Sequence, residues 1–259
     1  MEYAGQQFAV RTIPYGPFEY QVGDLYLPDA SRPPVVCLMH GGFWRMPYGR
    51  DEMTAVAQDL AGRGFAVWNL EYRRLGAGGG GWPGTFQDIG AGIDHLATLA
   101  DGVAIDLDRL TVAGHSAGGH LALWCAQRDG TRSNGYAPKR VKIAAAVGLA
   151  AAADLAGAHE LSAGNSAVAD FLEGSPGEQA ERYRTSSPIA MLPLGVRQLL
   201  IHGTADDVLP VDISRRYARA AIAAGDDVNF VELEGVGHMD YLDPKSEAHA
   251  ILCRWLAGI

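Results

Sequence analysis

The chain has 259 residues, of which 48% are hydrophobic and 20% charged, and its formal net charge is -9. That is enough chain for one sizeable core, and the acidic balance argues against general nucleic-acid binding. No run approaches the roughly 18 apolar residues of a membrane span, and the opening Met1-Glu2-Tyr3-Ala4-Gly5-Gln6-Gln7 has neither a basic start nor an apolar signal core.

Residues 1 to 30 read as an edge hairpin, with short runs at Phe18 to Val22 and Asp24 to Leu27 broken by Pro14, Pro17 and Gly23. Val35 to Met39 is a continuous apolar run, as expected of a strand buried on both faces. Met53, Val56, Ala57, Leu60 and Ala61 recur at helical spacing, with Gly62 and Gly64 as the stop. A strand over Phe65 to Leu70 follows, then an amphipathic helix marked by Phe86, Ile89, Ile93 and Leu96. Leu110 to Ala113 predicts a strand and Gly118 to Gln127 an apolar helix. Further strands are expected within Val141 to Ala153, at Gln198 to Ile201 and at Val228 to Leu233, with helices through Ile213 to Ala224 and Ala248 to Trp255.

Repeated strand–helix alternation implies an α/β protein with a mainly parallel central sheet and helices on both faces. Only Asp154 to Arg197, rich in Ala, Ser, Gly and Pro, breaks the rhythm, and it reads as a small cap-like insertion carrying short helices. The expectation is one domain over 1–259. The Gly76 to Gly81 run lacks the Lys-Ser/Thr of a phosphate loop and reads as a flexible surface loop. Cys37, Cys125 and Cys253 lie far apart in apolar surroundings, which suits reduced core thiols in a cytoplasmic protein.

Gly114-His115-Ser116-Ala117-Gly118 matches G-x-S-x-G, and it stands where a strand meets a helix. A tight strand-to-helix turn there lifts the serine hydroxyl out at the carboxyl end of the sheet. A serine at neutral pH needs a base. Of the eight histidines, His238 follows the last expected strand and so reaches the same sheet edge. His249 falls within a helix, and His95 and His159 have no supporting context. His115 and His120 flank the serine too locally, and His202 suits structural hydrogen bonds. The base needs an acid to orient it. Asp206 and Asp207, in the loop after the Gln198 to Ile201 strand, are the candidates, and either gives the chain order Ser, Asp, His. His40-Gly41-Gly42-Phe43-Trp44 follows the first buried strand, so the N–H groups of Gly42 and Phe43, with that of Ala117, are the expected oxyanion donors.

The sequence resembles the α/β-hydrolase superfamily, and within it the esterase branch related to hormone-sensitive lipase and kynurenine formamidase. The resemblance rests on His40 to Trp44, Glu71-Tyr72-Arg73, Gly114 to His120, Ser187-Pro188, His202-Gly203-Thr204-Ala205-Asp206 and Gly237-His238. It implies that Asp206, the first Asp of the H-G-x-x-D loop, is the triad acid. Phe43 stands where the lipase pattern has a third glycine, and the Phe43-Trp44 pair looks more like the formamidase type. The expected activity is hydrolysis of a short-chain or aromatic carboxylic ester through an acyl-enzyme, with no cofactor and no metal. Arylformamidase action on a small-molecule formamide is the alternative, and a catalytically silent binding protein of the same fold the third reading. Phe43, Trp44, Leu209 and Met239 are the expected substrate contacts. No nucleic-acid or membrane partner is expected.

Overall fold

The computed structural model describes residues 8–127, 135–161 and 166–259. The elements run β1 (Phe8–Pro14), β2 (Val22–Pro28), β3 (Pro34–Met39), α1 (Thr54–Gly62), β4 (Ala66–Leu70), α2 (Gly84–Leu99), β5 (Asp106–His115), α3 (Ala117–Cys125) and β6 (Ala145–Leu149). Then come α4 (Leu155–Glu160), α5 (Ala167–Leu172), α6 (Ala180–Ser186), β7 (Arg197–Gly203), α7 (Asp212–Ala223), β8 (Val228–Leu233) and α8 (Glu247–Leu256).

The strands form one eight-stranded sheet in the order β1-β2-β4-β3-β5-β6-β7-β8. The β1–β2 and β2–β4 pairs are antiparallel, and every pair from β4 to β8 is parallel. Alternate residues of β3 show why both faces are covered. Val35, Cys37 and Met39 belong to the apolar layer that also holds Phe86 and Ile89 of α2, Leu121 of α3 and Tyr217 of α7. Val36 and Leu38 belong to the layer on the other face, with Val56 and Leu60 of α1 and Leu252 of α8. A strand buried on both sides has no polar face, which is the continuous apolar run seen in the sequence.

The edge hairpin exists, but its first strand is Phe8–Pro14, and residues 17–20 are bends and turns rather than strand. Phe18 is half exposed beneath the Arg73 guanidinium, 4.3 Å from its ring centroid. The Gly76 to Gly81 loop is also not loose. Gly80 N–H donates to Ala77 O at 2.9 Å, Gly81 N–H to Thr85 Oγ1 at 3.1 Å, and that hydroxyl to Arg73 O at 2.6 Å.

The three cysteines are buried and unpaired. Cys253 sits beside His249 and Asp59, with its Sγ 3.3 Å from His249 Nε2, which is itself 2.7 Å from Asp59 Oδ2. Arg63 already pairs with that carboxylate at 2.5 Å, and burial pushes the Cys253 thiol up to about 11, so the cluster reads as a charge-paired staple between α1 and α8. Among the described residues, no helix is long and apolar enough to cross a membrane.

Candidate active site

Parallel strands deliver their carboxyl ends to one edge of the sheet, and the loops after β3, β5, β7 and β8 carry the candidate residues. Ser116 follows β5 with φ 54 and ψ -117, a conformation that non-glycine residues rarely adopt. Ser116 N–H donates to Leu149 O at 2.8 Å, and Ser116 O accepts from His120 N at 3.0 Å, so both sides of the turn are pinned. The turn also needs its glycines. A Cβ on Gly118 would lie 2.1 Å from Met39 O and 2.4 Å from His40 O, so a side chain there would push α3 off the end of β3.

The loop after β3 carries the oxyanion candidates through three successive positive φ values, Gly42 93, Phe43 57 and Trp44 54. Among the described residues, the N–H groups of Gly42, Phe43 and Ala117 make no hydrogen bond within the chain. Beneath them, His40 Nε2 meets Glu71 Oε1 at 2.8 Å, its Nδ1 meets Gly41 O at 2.8 Å, and its ring stacks on Tyr72 at 4.3 Å. Burial alone would raise the Glu71 carboxyl. The hydrogen bond and charge of His40, with Arg74 nearby, outweigh it and hold that carboxyl low.

Asp206 and His238 meet directly, His238 Nδ1 lying 2.7 Å from Asp206 Oδ2. The other oxygen, Oδ1, accepts from Val208 N at 3.0 Å and Leu209 N at 2.7 Å. His202 Nε2 lies 3.1 Å from Oδ2 and 2.8 Å from Leu209 O. Burial would raise this carboxyl too, but bonds from His202, His238 and Leu209 hold it well below the usual carboxylate range. Asp207 is exposed and makes none of these contacts. The His238 ring lies 4.7 Å from that of His115, the residue before Ser116.

A pocket of about 320 Å³, measured with its mouth, opens at Ser116. Phe43, Trp44 and Leu209 line it together with Ala158 of α4 and Val168 of α5, so the insertion contributes to its wall. Trp44 is buried: its ring stacks on Phe171 at 4.6 Å and its Nε1–H donates to His120 Nδ1 at 3.1 Å. His120 in turn reaches Ser186 O through Nε2 at 2.9 Å, and burial pushes its pKa down to about 4. Met239 is not a lining residue. Gly237 N–H bonds to Asp240 Oδ2 at 2.7 Å, and this surface turn leaves the Met239 side chain 56% exposed.

A family model described as BD-FAE matches residues 23–220. The chain belongs to the BD-FAE family. It is 29% identical over 232 residues to esterase LipC of Mycobacterium tuberculosis, covering 84% of this chain and 57% of that protein. It is 26% identical over 247 residues to a probable isoprenylcysteine alpha-carbonyl methylesterase of Oryza sativa, covering 89% of this chain and 58% of that protein. The chain therefore spans less than two thirds of these curated relatives. The kynurenine formamidase of Danio rerio is 29% identical over 125 residues, 46% of this chain and 39% of that protein. A truncated carbohydrate esterase from gut microbiota superposes with a TM-score of 0.85 at 21% identity, covering 98% of both chains. Esterase B of Lactobacillus rhamnosis gives 0.81 at 22%, covering 100% of this chain and 87% of that one. At such identities the structural likeness speaks to the fold, and that fold is the α/β-hydrolase fold.

Proposed function

We propose that this chain is a serine hydrolase that cleaves a short-chain or aromatic carboxylic ester. The observation that carries the reading is the Asp206–His238 pair at 2.7 Å, whose imidazole packs at 4.7 Å on His115, the residue before a serine on a strained strand-to-helix turn. Ser116 Oγ attacks the ester carbonyl carbon while its proton passes to His238 Nε2. Asp206 accepts from Nδ1–H and so keeps Nε2 free to take that proton. The N–H groups of Gly42, Phe43 and Ala117 stabilise the oxyanion. His238 then protonates the departing alkoxide, and a water activated by the same histidine releases the acid from the acyl-enzyme.

The pocket beside Ser116 is small and walled by Trp44, Ala158 and Val168, which favours acetyl- to butyryl-sized acyl groups. A second reading, removal of a formyl group from an aromatic amine, is favoured by the same narrowness and by Phe43 at the pocket wall. The three unpaired thiols suit a reducing compartment, and we place the enzyme in the cytoplasm, acting on a small molecule.

The test is Ser116→Ala, assayed on p-nitrophenyl acetate and on N-formylkynurenine, with fluorophosphonate labelling of the parent protein. The variant should fold, lose the label and lose turnover by several orders of magnitude. Near-parental turnover in the folded variant refutes the assignment, and the ratio of the two substrate rates decides between ester and formamide.

A further inference from the structure

We infer that His115, the residue before Ser116 in the G-x-S-x-G turn, is a positioning residue that locks the base-bearing loop to the nucleophile turn. The inference rests on the serine-hydrolase reading above. His115 is 2% exposed, and its Nε2–H donates to the main-chain carbonyl of His238 at 2.7 Å. That bond spans 123 residues of sequence. The ring also lies against the His238 ring at 4.7 Å and the Tyr241 ring at 5.7 Å. Tyr241 Oη in turn accepts from Gly203 N at 2.6 Å, at the end of the strand that leads to Asp206. One imidazole thus ties the serine turn to the loop that carries the base, and through Tyr241 to the strand that carries the acid.

The opposite edge of the ring touches the oxyanion loop. A Cβ on Gly41 would fall 3.1 Å from His115 Nδ1 and 3.3 Å from Ser116 Cβ, so the chain passes there with no side chain between. Among the described residues, Nδ1 itself has no hydrogen-bond partner. It can therefore stay the unprotonated nitrogen, which keeps the single N–H on the side that holds His238. Burial, reinforced by the neighbouring His238, pushes the His115 pKa down to about 3, so this bond persists across the working range of a histidine base. Without the donor, the His238 carbonyl would need another partner, and the loop could move to find one. A displacement near 1 Å at a reacting group costs on the order of 10²-fold in rate.

Three substitutions test this. In His115→Gln the amide nitrogen stands as many bonds from the backbone as Nε2 and can reach the same carbonyl. In His115→Asn the amide ends one bond short. In His115→Leu there is no donor. The expected result on p-nitrophenyl acetate is a kcat loss of about 10- to 100-fold for Asn and Leu, with KM within about twofold of the parent, and recovery of most of that loss in Gln. If Leu fails to fold, Gln against Asn still decides, because both are polar and differ by one methylene. Equal rates in Gln and Asn, or a change confined to KM, would overturn the inference. Ser116→Ala runs alongside: if it retains activity, the serine reading and this inference fall together. If it is dead while Asn and Gln match the parent, only the inference falls.

Discussion

The two oxygens of Asp206 do different work, and Asp206→Asn separates them. Oδ1 holds the loop by accepting from Val208 N and Leu209 N, while Oδ2 faces His238 Nδ1. An asparagine keeps one acceptor, and the two loop N–H groups claim it. Its NH2 then points at His238 Nδ1, so two donors meet unless the imidazole moves its proton to Nε2. In that tautomer Nε2 cannot take the serine proton. Such a carboxylate-to-amide change costs on the order of 10⁴ in kcat in a Ser-His-Asp triad. The loop should hold, and the stability loss is that of the two charge-assisted hydrogen bonds on Oδ2, from His238 and His202, roughly 3–6 kcal/mol together. In a domain of this size that lowers Tm by about 6–24 °C. Because the Asp206 carboxyl is held low in the folded chain, its contribution is full above the unfolded value of about 3.9 and fades as pH falls towards the folded value. The Tm gap between parent and variant should therefore narrow below about pH 4. The assay is initial-rate hydrolysis of p-nitrophenyl acetate with melting curves at several pH values, and Asp207→Asn is the control. A folded Asp206→Asn within tenfold of the parent, or an equally damaged Asp207→Asn, would refute the reasoning.

Trp44→Ala should open the pocket towards Phe171 and shift the preferred p-nitrophenyl ester from acetate or butyrate to longer acyl chains, at a stability cost of about 3–5 kcal/mol. An unchanged chain-length profile in the folded variant would show that Trp44 does not bound the acyl site. His115 and His120 carry pKa values pushed down to about 3 and about 4, so between about pH 6.5 and those values the unfolded chain binds protons that the folded chain does not. Stability should fall with falling pH by up to roughly 1.4 kcal/mol per unit for each. Melting curves from pH 7 to 5 should show a shallower slope in His115→Gln than in the parent, and identical slopes would contradict the assignment.

Legibility in the sequence followed burial. The strand at Val35–Met39 announced itself because both faces are covered, and the strand–helix alternation then implied the parallel sheet. The edge strand at Phe8–Pro14 did not, since most of it is exposed and its residues alternate without a clear apolar side. Phe18 misled because its ring packs on a guanidinium rather than in a strand. At the candidate site, the sheet edge that carries Ser116, Asp206 and His238 was readable because each follows a strand end, and strand ends can be counted; the choice of Asp206 over Asp207 came from the H-G-x-x-D resemblance. Met239 shared that neighbourhood, but the Gly237–Asp240 turn sends its side chain to the surface. His115 could not be read at all, because its partner is a main-chain carbonyl 123 residues away and carries no residue-type signal.

Three buried histidines at this sheet edge share one geometric task. His40, His115 and His202 stand at or just beyond the carboxyl ends of β3, β5 and β7, and each spends both flexibility and burial on holding a loop. His40 joins Glu71 to its own turn, His115 grips the His238 carbonyl, and His202 spans Ser214 Oγ at 2.7 Å and Leu209 O at 2.8 Å. Imidazole suits this work because it is rigid and offers two polar points on opposite edges, so one side chain can join two segments. The cost is that a buried ring with a poorly chosen partner would compete with the catalytic one for protons. His115, in ring contact with His238, avoids this through the desolvation that keeps it neutral. Under the proposed mechanism, a positive charge there would oppose the imidazolium formed on His238 when Ser116 gives up its proton. The apolar packing around the turn therefore bears on the proposed chemistry directly: it keeps His115 neutral next to the ring that faces the Asp206 carboxylate.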